Sequence, residues 1–121
     1  MKRLFLDDLR NPIEVPNYCC KLNLKPSIYH EYWYVVRSYT DFTDWISQNG
    51  LPDLISFDHD LGDVNSMDGS PEKTGYDCAK WLVNYCLDFD KSLPVCVVHS
   101  ANPVGADNIR SLFLSFQKNQ K

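Results

Sequence analysis

Short apolar runs alternate with amphipathic stretches along the whole chain, and three of the four runs end in acid or histidine. Residues 2–8, "KRLFLDD", predict a short strand that closes on Asp7 and Asp8. "YWYVVRS", 32–38, is aromatic and β-branched and predicts a second strand. "DLISFD", 53–58, predicts a third that closes on Asp58. "PVCVVHS", 94–100, predicts a fourth, a continuous apolar run of the kind covered on both faces.

Helical patterns fill the intervals. "TDFTDWISQNG" opens on Thr40 as N-cap and carries Asp41 and Asp44 in the first turn, where the helix dipole favours them. It stops at Gly50, and Phe42, Trp45 and Ile46 form its apolar face. Thr74-Gly75-Tyr76-Asp77 has the spacing of a capping box and starts a helix over 75–87, with Tyr76, Ala79, Val83 and Cys86 inward. Asn102-Pro103 pairs an N-cap with a good first helical residue, and Ile109, Leu112, Phe113 and Phe116 make the last apolar face. Residues 9–31 differ: Pro12, Pro16 and Pro26 remove backbone donors and predict an irregular crossover.

This alternation predicts an α/β fold built on a doubly wound parallel sheet with right-handed crossovers. Ligands in such sheets bind outside the carboxyl ends of the strands, near the point where strand order reverses. Asp7-Asp8, Asp58-His59-Asp60 and His99-Ser100 all stand at predicted strand ends. The fold should therefore gather them on one edge.

Length and charge narrow the classes. The 121 residues fit a single domain, 1–121, and a composition 44% hydrophobic and 23% charged argues against disorder. A net charge of -4 argues against a broad duplex-DNA surface but leaves room for one local phosphate pocket. The start "MKRLFLDDLR" meets acid too soon for a signal peptide, and no run approaches the ~20 residues of a membrane span. A cytoplasmic protein without membrane contact is expected. The five cysteines lack C-x-x-C pairs and read as reduced, mostly buried thiols, with no mechanism evident for Cys19-Cys20.

Carboxylates brought together repel unless a cation or shared protons relieve them. A hard divalent ion such as Mg²⁺ takes oxygen ligands, so Asp7 or Asp8 with Asp58, and also Asp60, could hold one. His59 or His99 would also admit Mn²⁺ or Zn²⁺, or serve as a general base. Arg10 could clamp a phosphate or pair with the neighbouring aspartates. Helix starts at Thr74 and Asn102 would aim N–H groups at the same edge, and Ser100 would add a hydroxyl or close a local turn. Other motifs are poorer. "DVNSMDG" places its Asp-Gly one residue late for a calcium loop, and "GSPEKTG" lacks the Gly-Lys-Ser/Thr of a P-loop.

Asp7-Asp8, Asp58 and Ser100-Ala101 resemble the receiver domain of response regulators. More closely, "LDDLRNP", "FDHDLG", "TGYD" and "VHSANPVG" together resemble a receiver-like family predicted to process cyclic phosphates, met in RNA-repair and phage-conflict settings. The resemblance implies a flavodoxin-like sheet of strand order 2-1-3-4, truncated because the usual fifth strand and helix find no counterpart after Ser100. It implies a metal held by the acidic pair and Asp58, and a hydroxyl residue against phosphate. His59 and Asp60 beside the phosphoacceptor position favour hydrolysis over a lasting phosphoaspartate. The expected activity is a metal-dependent phosphoesterase acting on a cyclic-phosphate nucleotide or RNA end. Its rivals are a non-catalytic or phosphorylatable receiver module and a protein that sequesters cyclic nucleotides. A truncated sheet would also leave a fourth-strand edge open for homodimerisation.

Overall fold

A computed structural model describes residues 1–18, 25–59, 61, 74–99 and 103–119. Four parallel strands, β1 (Arg3–Leu6), β2 (Tyr34–Val36), β3 (Leu54–Phe57) and β4 (Val95–Val98), form one sheet in the order β2-β1-β3-β4. Each strand is shorter than the run that predicts it, and trimming occurs at both ends: β2, for example, begins after Tyr32 and Trp33 and ends before Arg37. The helices are α1 (Val15–Tyr18), α2 (Tyr39–Asn49), α3 (Gly75–Asp88) and α4 (Pro103–Asn119).

Alternation along the strands divides the core. Leu4, Leu6, Val36, Ile55, Phe57 and Val98 point to one face and pack with Phe42 and Ile46 of α2, Leu82 of α3, and Ile109 and Phe113 of α4. Phe5, Leu54 and Val97 point to the other, where Val15, Tyr29 and Trp33 of the crossover cover them. The crossover itself is a 3-10 turn at Pro12–Glu14, the single turn of α1, and a second 3-10 turn at Pro26–His30. A two-sided cover suits a parallel sheet, whose strands have no water-facing side. β4 lies at one border, and Val95 is 60% exposed there.

Two helix details depart from the sequence reading. Ser38, not Thr40, is the N-cap of α2: its Oγ accepts the Asp41 N–H at 3.1 Å, so the helix begins two residues earlier. Gly50 closes the helix at φ 81°, a conformation that favours glycine. On α3 the buried stripe includes Cys78 and Leu82 besides Ala79, Val83 and Cys86, while Tyr76 is only half-buried. Burial pushes the Cys78 thiol up, so it stays protonated and unreactive. Cys19 and Cys20 lie outside the described residues.

Candidate functional site

Strand register builds the site. Leu6 pairs with Val36 and Phe57, and Phe57 pairs with Val98. The next residue on each strand therefore lies in one row across the sheet: Arg37, Asp7, Asp58, His99. Backbone bonds extend the row beyond the ladder. The N–H of Asp7 donates to Val36 O (3.2 Å), that of Asp58 to Leu6 O (2.9 Å) and that of His99 to Phe57 O (2.9 Å).

Asp7 turns the chain as well as lining the site. Its Oδ1 accepts the N–H groups of Leu9 (2.9 Å) and Arg10 (2.8 Å), closing an Asx-type turn that carries Asp8 and Arg10 outward. Its Oδ2 lies 3.1 Å from His99 Nε2. Burial alone would raise this carboxyl, but the bonds from His99, Arg10 and Leu9 outweigh it and hold Asp7 below the usual range. Asp8 moves the other way, raised by burial and then by the negative charge of Asp7.

Arg37 fixes the same turn from β2. One guanidinium nitrogen, Nη1, donates to Asp7 O (3.2 Å) and Arg10 O (2.6 Å), and Nη2 donates to Asn11 Oδ1 (2.6 Å). A planar fork can serve three acceptors at once, which an ammonium could not do in this geometry.

Asp58 and His59 are set by two glycines. A β-carbon on Gly75 would lie 1.8 Å from Asp58 O, and the Gly75 N–H donates to His59 O at 2.7 Å. The first turn of α3 thus presses on the end of β3. A β-carbon on Gly105 would lie 2.3 Å from His59 Cγ, so the imidazole rests on the first turn of α4. His59 is half-buried.

Carboxylate oxygens of Asp7, Asp8 and Asp58, one from each, lie within 4.8 Å of one another. The donor set is all oxygen, and Asp8, raised by burial and then by the charge of Asp7, carries a repulsion that a divalent cation would relieve. These residues suit Mg²⁺ or Mn²⁺ better than Zn²⁺, which prefers nitrogen and sulfur.

Two expected site residues change role, and three fall outside the described residues. His99 is 0% exposed, stacked on Phe5 with ring centroids 4.4 Å apart, and both ring nitrogens are engaged, Nδ1 with Ser56 Oγ at 2.6 Å. A proton carrier must reach substrate, and His99 is sealed beneath Asp7. Burial, opposed by the Asp7 hydrogen bond and charge, lowers its pKa and keeps it neutral. Thr74 spends its groups on α3. Its N–H donates to Asp77 Oδ2 (2.7 Å), and its hydroxyl accepts the Asp77 N–H (3.3 Å) in a capping box, so it is a structural cap rather than a phosphate ligand. Asp60, Ser100 and Asn102 lie outside the described residues. Arg10 is exposed on the Asp7 turn.

Sequence reasoning missed Arg37, Ser56 and Tyr29. Arg37 carried the same strand-end signal as the aspartates. Ser56 was visible as the one polar residue inside "LISF". Tyr29 had no local signal at all, since only the tertiary fold brings its hydroxyl within 3.0 Å of Ser56 Oγ.

No helix among the described residues is long and apolar enough to cross a membrane. No curated protein matches the sequence. A solved structure carrying the yeast Spc42 trimeric coiled coil (amino acids 181–211) as a fusion is similar over 92% of this chain, with a TM-score of 0.53 and 19% identity. The chain spans 62% of that protein's length, and the likeness extends to the fold alone. A family profile, the cyclic-phosphate processing receiver domain, matches residues 2–115. With its parallel 2-1-3-4 sheet and its row of strand-end acids, the chain belongs to the cyclic-phosphate processing receiver family.

Proposed function

We propose that this domain is a metal-dependent phosphoesterase that opens a cyclic phosphate, as at an RNA 2′,3′-cyclic end or in a small cyclic nucleotide. The convergence of Asp7, Asp8 and Asp58, with the half-buried His59 next in sequence to Asp58, carries the reading. These three residues would hold Mg²⁺, with Mn²⁺ as a close substitute. When bound, the ion supplies Lewis-acid polarisation of the phosphoryl group and lowers the pKa of water.

Hydrolysis adds water to phosphorus and breaks one ring P–O bond, so one proton must leave the water and one must reach the departing oxygen. His59 is the group suited to this traffic. It follows Asp58 directly, is held by its seat on Gly105, and is half-buried rather than sealed. Arg10, projecting from the Asp7 turn, steadies the charge that grows on the phosphate oxygens. Arg37, through its bonds to Asp7 O, Arg10 O and Asn11 Oδ1, keeps this turn in place.

The test is a panel of cyclic-phosphate nucleotides incubated with the protein, with and without divalent ion. Product should form only with the ion, and Asp58→Asn and His59→Ala should each abolish or strongly reduce it. Absence of product under every condition, with binding that survives Asp58→Asn, would replace the enzyme by a binding module. A phosphoaspartate formed from acetyl phosphate and stable for minutes would favour a signalling receiver.

A further inference from the structure

Beneath the carboxylates runs a line of polar contacts that ends at Tyr29 of the crossover. Tyr29 Oη lies 3.0 Å from Ser56 Oγ, Ser56 Oγ lies 2.6 Å from His99 Nδ1, and His99 Nε2 lies 3.1 Å from Asp7 Oδ2. All four residues are at most 2% exposed. They come from the crossover, β3, the end of β4 and the end of β1, so no local motif produces the arrangement.

The small side chain of Ser56 makes it feasible. His99 stands on β4, two strands from β1, yet its ring stacks on Phe5 of β1 at 4.4 Å and an interplanar angle of 7°. It must lie across β3 to do so, and residue 56 is where it crosses. A larger residue there would fill the space that the ring occupies.

Hydrogen-bond direction follows from chemistry. An ionised Asp7 only accepts, so His99 Nε2 carries the proton. In a neutral ring Nδ1 then accepts from the Ser56 hydroxyl, whose oxygen in turn accepts from Tyr29 O–H. In a neutral ring this order cannot be reversed without placing a lone pair against the Asp7 carboxylate. On Asp7 the consequence is orientation: Oδ1 takes two N–H bonds and Oδ2 takes one from His99, so the carboxylate is held through both of its oxygens.

We propose that Tyr29, Ser56 and His99 are positioning residues: a directional buried relay that holds the Asp7 carboxylate in one orientation. The inference rests on the metal reading of the Asp7, Asp8 and Asp58 cluster, and it ties that cluster to the crossover through Tyr29. Outer partners of metal ligands act in this way by fixing ligand direction, and their loss costs about 10–100-fold in metal affinity.

Two measurements separate the relay from the metal reading. Ring ¹⁵N NMR of the metal-free protein should show His99 as the Nε2–H tautomer, and both Ser56→Ala and Tyr29→Phe should shift its ring resonances. An Nδ1–H tautomer, or resonances indifferent to both substitutions, would overturn the relay. Mn²⁺ titration followed by electron paramagnetic resonance should then show affinity about 10–100-fold weaker in His99→Phe and largely restored in His99→Gln, whose amide can still donate to Oδ2. Equal loss in both variants, despite native circular dichroism, would reduce His99 to a packing residue. If wild-type protein binds no Mn²⁺, the metal reading falls and cation positioning with it, while the tautomer result still judges the hydrogen-bond chain.

Discussion

Gly75 approaches the main chain of Asp58 so closely that a β-carbon on it would lie 1.8 Å from the Asp58 carbonyl oxygen. The neighbour is backbone, not a side chain that can rotate away, so any other residue forces α3 and the end of β3 apart. Gly75→Ala should destabilise the fold by about 1–3 kcal/mol or more, the usual range for overpacking. Urea unfolding measures this directly, and a loss below about 0.5 kcal/mol would mean that the contact relaxes freely.

Gly105 poses the milder case, because the atom in the way belongs to the His59 ring. The ring can swing out. Gly105→Ala should leave stability within about 1 kcal/mol of wild type while moving His59 off its seat and cutting phosphoesterase turnover. Unchanged turnover in Gly105→Ala would show that the ring's position is not part of the chemistry.

Arg37 holds the Asp7–Asn11 turn by three hydrogen bonds to Asp7 O, Arg10 O and Asn11 Oδ1. Arg37→Lys retains the charge but not the fork, and should cost roughly 1–3 kcal/mol. Faster amide hydrogen exchange at Leu9 and Arg10 than in wild type is the expected signature. If exchange there matches wild type, the Asp7 carboxylate alone closes the turn.

Acid should weaken the metal-free fold in two stages. His99 has its pKa lowered by burial, so the folded ring stays neutral while the unfolded one takes up a proton near its ordinary value of 6.5. Stability tied to it is present above that pH and falls as pH drops below it, by at most about 1.4 kcal/mol per pH unit for one proton. Asp7, held low against its burial by its hydrogen bonds, adds stability above its ordinary value of 3.8 that is lost as pH falls through its lowered folded value. Asp8 is raised and opposes this: its contribution declines as pH rises from 3.8 through its folded value. Urea unfolding in a chelator, from about pH 8 down to about pH 5, should show the first stage in wild type and a flatter profile in His99→Gln.

Much of this arrangement was legible before any coordinates. Apolar runs of strand length, each followed by amphipathic segments, are local signals, and β-strand ends at Asp7, Asp58 and His99 sufficed to place three clusters on one edge. What escaped depends on lateral relations between strands. Whether His99 faces substrate or reaches back over β3 is decided by the size of residue 56 and by the Phe5 ring beside it, neither of which is near in sequence. The same holds for caps. Ser38 and Thr40 both suit the start of α2, and the choice rests on where β2 releases the chain. Thr74 was rightly seen as the start of a helix, but its capping box consumes the groups that a phosphate would need.

The central claim is that the Asp7, Asp8 and Asp58 cluster supports metal-dependent opening of a cyclic phosphate. Its most direct test is ³¹P NMR of a 2′,3′-cyclic nucleotide incubated with the purified protein and Mg²⁺. The cyclic diester resonance should convert to a monoester in wild type, and should persist in the presence of chelator and in Asp58→Asn. Persistence of the diester with wild-type protein and either Mg²⁺ or Mn²⁺, or conversion at an equal rate by Asp58→Asn, would contradict it.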